Sequence, residues 1–175
     1  MAVVSGGAEV VLAMGANLGD RAATLRAAVR ELDAAPGFTV RAVSEPVETD
    51  PVGGPDQPDY LNAVVLGVTT LAPAELLALC HRVEAGHGRE RAVRWGARTL
   101  DVDVVSYGEV VSDAPELTLP HPRAHQRAFV LAPWHQVDPA ATLRAPDGAV
   151  RPVADLLAAA ADRDGVRPSD EGALW

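Results

Sequence analysis

A chain of 175 residues that is 48% hydrophobic carries enough apolar material for a packed core and is too apolar to be a disordered segment. Its formal net charge of −9 excludes a general nucleic-acid binder, since affinity for a phosphate backbone needs a basic surface, and no uncharged apolar run approaches the ~18 residues of a membrane span. The start, MAVVSGGAEV, lacks the basic opening and long apolar stretch of a secretory signal, so a cytoplasmic location is expected.

From the N-terminus, the apolar run VVLAM at 10–14 reads as a buried strand, and GANLGD as the turn into a helix capped by Asn17 or Asp20. Leu18, Ala22, Leu25, Val29 and Leu32 recur at spacings of four and three, one stripe of an amphipathic helix that Pro36-Gly37 ends. FTVRAVS at 38–44 reads as a strand, and EPVETDPVGGPDQPD at 45–59, with four prolines, as a long loop suited to a lid. YLNAVVLGVTT at 60–70 is apolar on both alternating faces, the mark of a central strand. Pro73 suits the first turn of a helix whose inner face is Leu76, Leu77, Cys80 and Val83. Cys80 is the single cysteine and reads as core packing, with no redox role.

An arginine-rich loop to residue 98 leads into the strand TLDVDVVSY at 99–107, and a hairpin is expected near 108–119. LPHPRAHQRAFVLAPW opens with prolines and continues as a short helix, and another short helix fits 152–161. No period is visible beyond, so 162–175 are expected to be a mobile tail after a single domain over 1–161. The order β-α-β-β-α-β predicts an α+β, ferredoxin-like split βαβ sandwich, an antiparallel sheet with helices packed on it and extra C-terminal helices.

In RWGARTLDVDVVSYG at 94–108, Asp101 and Asp103 alternate along a strand. They therefore share a face, with Cα atoms ~6.6 Å apart, while Leu100, Val102 and Val104 face the core. Two carboxylates in a low-dielectric setting repel and raise each other's pKa unless a cation neutralises them. Oxygen donors without cysteine favour Mg2+ or Mn2+, although a solvated sheet face explains the same pattern. Arg89, Arg91, Arg94 and Arg98 fall within ten residues, and Arg123 and Arg127 follow farther on. Either they pair with the aspartates, or they hold phosphate groups that also bind the metal, for which bidentate guanidinium is suited. The chain contains no lysine, which excludes a lysine Schiff base and the GxxxxGK(S/T) phosphate loop. His121, held between Pro120 and Pro122, is either structural or, beside Arg123 and Arg127, a phosphate donor. Tyr60, Asn62, Trp95 and Phe129 are ordinary core candidates that also suit a flat heteroaromatic ligand, which wants two ring faces and an edge-reading amide.

Together RWGARTLDVDVVSYG, DQPDYLNAVV and LPHPRAHQRAFVLAP resemble the 6-hydroxymethyl-7,8-dihydropterin pyrophosphokinases of folate biosynthesis, and AMGANLGD looks like that family's strand-to-helix opening. The resemblance runs from about residue 10 to about residue 156. It implies magnesium-dependent transfer of pyrophosphate from ATP to the hydroxymethyl group of the pterin, giving AMP and the pterin diphosphate. On matching positions, Asp101 and Asp103 resemble the ligands of two Mg2+ ions gripping the triphosphate of the co-substrate ATP. Arg89, Arg98, His121 and Arg127 resemble catalytic, phosphate-binding residues, with Arg91 and Glu84 also on the ATP side. Tyr60 and Phe129 resemble the stacking walls of the pterin, Asn62 its edge-reading amide and Trp95 part of the closing loop, while Thr49 and Val52 match the lining of the pterin pocket. Ala16 departs from the family's usual serine, and Asp50 from a frequent proline.

The partners implied are the two small-molecule substrates, with no nucleic acid, no membrane and a monomeric chain. Two rival readings stand beside this one, a nucleotidyltransferase using the paired aspartates and a non-catalytic ferredoxin-like module that binds a nucleotide or metabolite.

Overall fold

The computed structural model describes residues 7–50, 59–87 and 99–175; Val52, Arg89, Arg91, Arg94, Trp95 and Arg98 lie outside them. In chain order the elements are β1 (Ala8–Ala16), α1 (Arg21–Ala34), β2 (Phe38–Val43), β3 (Val47–Thr49), β4 (Tyr60–Thr69), α2 (Pro73–Gly86) and β5 (Asp101–Tyr107). There follow β6 (Ser112–Ala114), β7 (Leu117–Leu119), α3 (Ala128–Val137), β8 (Thr142–Arg144), β9 (Val150–Pro152), α4 (Val153–Ala159) and β10 (Val166–Pro168). The main sheet is antiparallel in the order β10-β3-β4-β1-β5, with β2 also paired to β4. Strands β1, β2, β4 and β5 with helices α1 and α2 make the ferredoxin-like split βαβ that the element order predicts.

The central strands are apolar on both sides because both faces of the sheet are covered. One cluster joins Leu12, Met14, Leu61 and Val102 to Leu25, Val29, Leu76 and Cys80 of α1 and α2. A second, on the opposite face, joins Val64 and Val105 to Ala128, Leu131 and Trp134 of α3 and Val153 of α4. Among the described residues no helix is long and apolar enough to cross a membrane.

Of the two cap candidates Asp20 caps α1, its Oδ1 accepting the Ala23 N–H at 3.1 Å. Leu18 precedes that cap, so helical spacing does not govern it; it is 38% exposed, and Ala28 completes the buried stripe. On α2 the buried face uses Leu79 rather than Leu77. Cys80 is core, and burial, with the Glu84 and Asp103 charges, pushes its thiol up to about 12.

The 45–59 segment contains a strand that its prolines conceal. The Val64 N–H donates to Ser44 Oγ at 2.8 Å and the Ser44 N–H to Val64 O at 2.9 Å, after which pairing with β4 resumes at β3. The C-terminal segment also departs from expectation, because residues 162–175 do not trail off as a mobile tail. Strand β10 pairs with β3, Arg26 donates to the carbonyls of Glu171 and Ala173 at 2.6 and 3.2 Å, and Leu174 is buried in the α1–α2 cluster. Each of these contacts is remote in sequence, so no local period announces it.

Candidate active site

Cross-strand register assembles the site. Gly15 of β1 stands opposite Asn62 of β4 on one side and Asp101 of β5 on the other. Two residues back along β1, Ala13 stands between Val64 and Asp103, while Thr49 of β3 faces Tyr60 of β4. Opposed residues of an antiparallel ladder share a face. Val64 and Ala13 pack under α3, so Asn62, Gly15, Asp101 and Asp103 occupy the α3 face. Asp101 is half-buried and Asp103 exposed, and the interleaved Leu100, Val102 and Val104 are buried on the α1–α2 face as the alternation predicts.

At Gly15 the row has no room for a side chain, because the Asn62 amide lies against that position. A Cβ there would lie 2.6 Å from Asn62 Oδ1 and 3.7 Å from Tyr60 Cδ1. Asn62 cannot easily yield, because it is buried and its Nδ2 donates to Thr49 Oγ1 at 2.6 Å. Thr49, itself buried, thereby fixes which edge the amide presents. With strands 4.7–4.9 Å apart, Asn62 and Asp101 stand ~10 Å from each other across the glycine.

The segment after β7 supplies cationic groups to the same face. The His121 N–H donates to Val105 O at 2.8 Å, which hangs the segment beside β5. His121 Nδ1 accepts the Arg123 N–H at 3.1 Å, so a neutral ring carries its proton on Nε2 and presents a donor. Burial holds this imidazole below the ordinary histidine range; the Asp103 charge opposes that and the Arg127 and Arg123 charges add to it. The Arg127 guanidinium lies 5.5 Å from the Phe129 ring centroid, stacked so that its donor fork stays available. Phe129 and Ala13 are both partly buried against the α3 cluster.

Glu84 is placed differently from the others. It is buried on α2, and its Oε2 accepts the Val102 N–H at 3.0 Å, the amide between the two aspartates. Strand β5 ends the sheet, and this carboxylate stands where a neighbouring strand would satisfy that amide. The remaining described residues expected in the site come to the α3 face; Glu84 supports it from behind. Sequence reasoning missed the part played by Gly15, although a glycine inside an apolar strand is a signal of close approach.

Asp101 and Asp103 provide oxygen donors only, and among the described residues no cluster of three or more His, Cys, Asp or Glu surrounds them. Two carboxylates, with the remaining positions left to water and substrate phosphate, are what Mg2+ accepts. The donor set fits that ion.

The family model described as 7,8-dihydro-6-hydroxymethylpterin-pyrophosphokinase (HPPK) matches residues 11–139. A relative from Mycobacterium bovis, named 2-amino-4-hydroxy-6-hydroxymethyldihydropteridine pyrophosphokinase, is 45% identical over 171 residues, covering 91% of this chain and 88% of its own. A relative of the same name from Bacillus subtilis is 44% identical over 126 residues, 72% of this chain and 75% of its own. Among solved structures, a Plasmodium falciparum HPPK-DHPS triple mutant is similar over 90% of this chain with a TM-score of 0.65 and 12% identity. This chain spans 45% of that longer one, and the likeness is one of fold.

Proposed function

Because the chain belongs to the 7,8-dihydro-6-hydroxymethylpterin-pyrophosphokinase family, we propose that it transfers pyrophosphate from ATP to 6-hydroxymethyl-7,8-dihydropterin in a Mg2+-dependent reaction that releases AMP. It is a pyrophosphokinase of folate biosynthesis. The observation that supports the finer reading is the row Asn62–Gly15–Asp101, an amide and a carboxylate on one face separated by a residue with no side chain.

Asn62, oriented by Thr49, reads the hydrogen-bonding edge of the pterin, and Tyr60 and Phe129 stack on its ring. Asp101 and Asp103 hold two Mg2+ ions. When bound, the ions neutralise the triphosphate and supply Lewis acidity at its oxygens. His121 through Nε2 and Arg127 through its guanidinium donate to phosphate oxygens. Negative charge builds there as the hydroxymethyl oxygen attacks the β-phosphorus and AMP leaves. These donors are held by Arg123 and Phe129 before substrate arrives, so little reorganisation accompanies the reaction.

Arg89, Arg91 and Arg98 complete the phosphate contacts, and Val52 and Trp95 the pterin pocket, by their match to the family's motifs. Glu84 contributes through the β5 backbone, holding the two aspartates at their spacing. The unit assigned this activity is a single domain, which the packed C-terminal segment extends beyond residue 161.

The test is an AMP-release assay with purified protein. AMP is expected only when Mg2+, ATP and the dihydropterin are all present. Formation of ADP, or of inorganic pyrophosphate, in place of AMP would reject the reading.

A further inference from the structure

Arg167 of β10 reaches the sheet end where the ring-reading residues stand. Its Nη1 donates to Asp50 Oδ1 at 2.8 Å and its Nη2 to Asp59 Oδ2 at 2.7 Å. Asp50 follows Thr49 at the end of β3, and Asp59 precedes Tyr60 at the start of β4. One guanidinium therefore bridges the last residue after one strand and the first residue before the next. The backbone supports the same junction, since β10 pairs with β3 from Val166 opposite Thr49 to Pro168 opposite Val47, and the Asp50 N–H donates to Gly165 O at 3.3 Å. From α1, Arg21 donates to the Asp59 carbonyl and to Glu48, each at 2.8 Å.

The bridged aspartates adjoin the two residues that set the reader. Thr49 accepts the Asn62 amide, and Tyr60 stands against Gly15. Without the guanidinium, two like charges would face each other at the ends of β3 and β4 and push them apart. The Arg167, Asp50 and Asp59 side chains are 44%, 63% and 38% exposed, and ion pairs so solvated add little to global stability. Placement of the adjoining ends of β3 and β4 is the effect left for this cluster.

We infer that Arg167 is a positioning residue for the pterin subsite. By tying Asp50 to Asp59 it holds Thr49 and Tyr60 at the separation that Asn62 needs, an inference that rests on the function proposed above. The C-terminal strand is in this sense part of the substrate-binding apparatus.

Steady-state kinetics of the full chain and of Arg167→Met, varying each substrate at saturation of the other, tests it. The KM for the dihydropterin is expected to rise about fivefold, the equivalent of one solvated ion-pair network, while kcat and the KM for ATP stay within about twofold. Arg167→Lys should recover part of the loss by restoring a cation. Adding Asp50→Asn to Arg167→Met should also recover part, by removing the repulsion. An unchanged pterin KM in Arg167→Met overturns the inference. So does a parallel shift of both KM values together with the melting temperature, which is the mark of a purely structural role. Absence of AMP production by the unaltered protein would instead strike at the function itself, and is read before any variant is made.

Discussion

The two faces of the sheet are built to opposite specifications from the same strands. The α1–α2 face is closed, with Leu12, Met14, Leu61 and Val102 buried in a continuous cluster. The α3 face closes over Val64 and Val105 but carries Asn62, Asp101 and Asp103 in register at one end. In β5 a single step along the chain separates Val102, which is core, from Asp101 and Asp103, which are not. A strand's period of two allows one segment to pack on one side and to present polar groups on the other. The difference between the faces lies in what stands opposite. On the closed face the strand residues join α1 and α2 side chains in one buried cluster, while at Gly15 the absence of a side chain lets the Asn62 amide lie close against β1.

Four changes would break or sharpen that comparison. The largest effect is expected from Asp101→Ala or Asp103→Ala, which should lower turnover by about 10³-fold or more in an AMP-release assay. Each variant should still melt cooperatively, since Asp101 is only half-buried and Asp103 is exposed. Gly15→Ala should come next. Its methyl group would press on the buried Asn62 amide, raising the pterin KM by tenfold or so and destabilising the fold by about 1–3 kcal/mol in urea titration. The mirror change on the closed face, Leu12→Ala, should cost about 2–5 kcal/mol and leave the pterin KM of the folded protein unaltered.

Third, Glu84→Ala should orphan the buried Val102 amide, costing about 1–3 kcal/mol, whereas Glu84→Gln keeps an acceptor and should lose less. If Glu84 met only ATP, denaturation would be unaffected and the ATP KM alone would move.

The smallest effect concerns pH. His121 is held below its ordinary 6.5 chiefly by burial, so the folded state disfavours the imidazolium. Its contribution to stability is full above the unfolded value and declines as pH falls through 6.5 towards the lower folded value, because the unfolded chain then binds more protons. An NMR titration of the metal-free protein should place this imidazole below 6.5, and His121→Gln should flatten the corresponding part of the stability profile.

What could be read from sequence follows from how local each signal is. The Asp101–Asp103 alternation, the Cys80 stripe and the order of strands and helices repeat within a few residues, so periodicity reveals them. The Thr49–Asn62 hydrogen bond depends on the register of β3, and that strand is hidden in a proline-rich segment that reads as loop. Strand β10 and Leu174 act across more than a hundred residues, where three residues of strand and one leucine carry no pattern. Glu84 stood out as an acidic residue, but only its burial against the edge of β5 shows that it serves the backbone between the aspartates.

The central claim is that Asp101 and Asp103 hold divalent ions against the phosphates of a nucleotide. Calorimetric titration of a non-hydrolysable ATP analogue, with and without Mg2+, into the unaltered protein and the Asp101→Asn/Asp103→Asn double variant tests it most directly. Magnesium should tighten binding to the unaltered protein by about tenfold or more, and the double variant should lose that gain while still melting cooperatively. A double variant that keeps the full magnesium enhancement would contradict the claim.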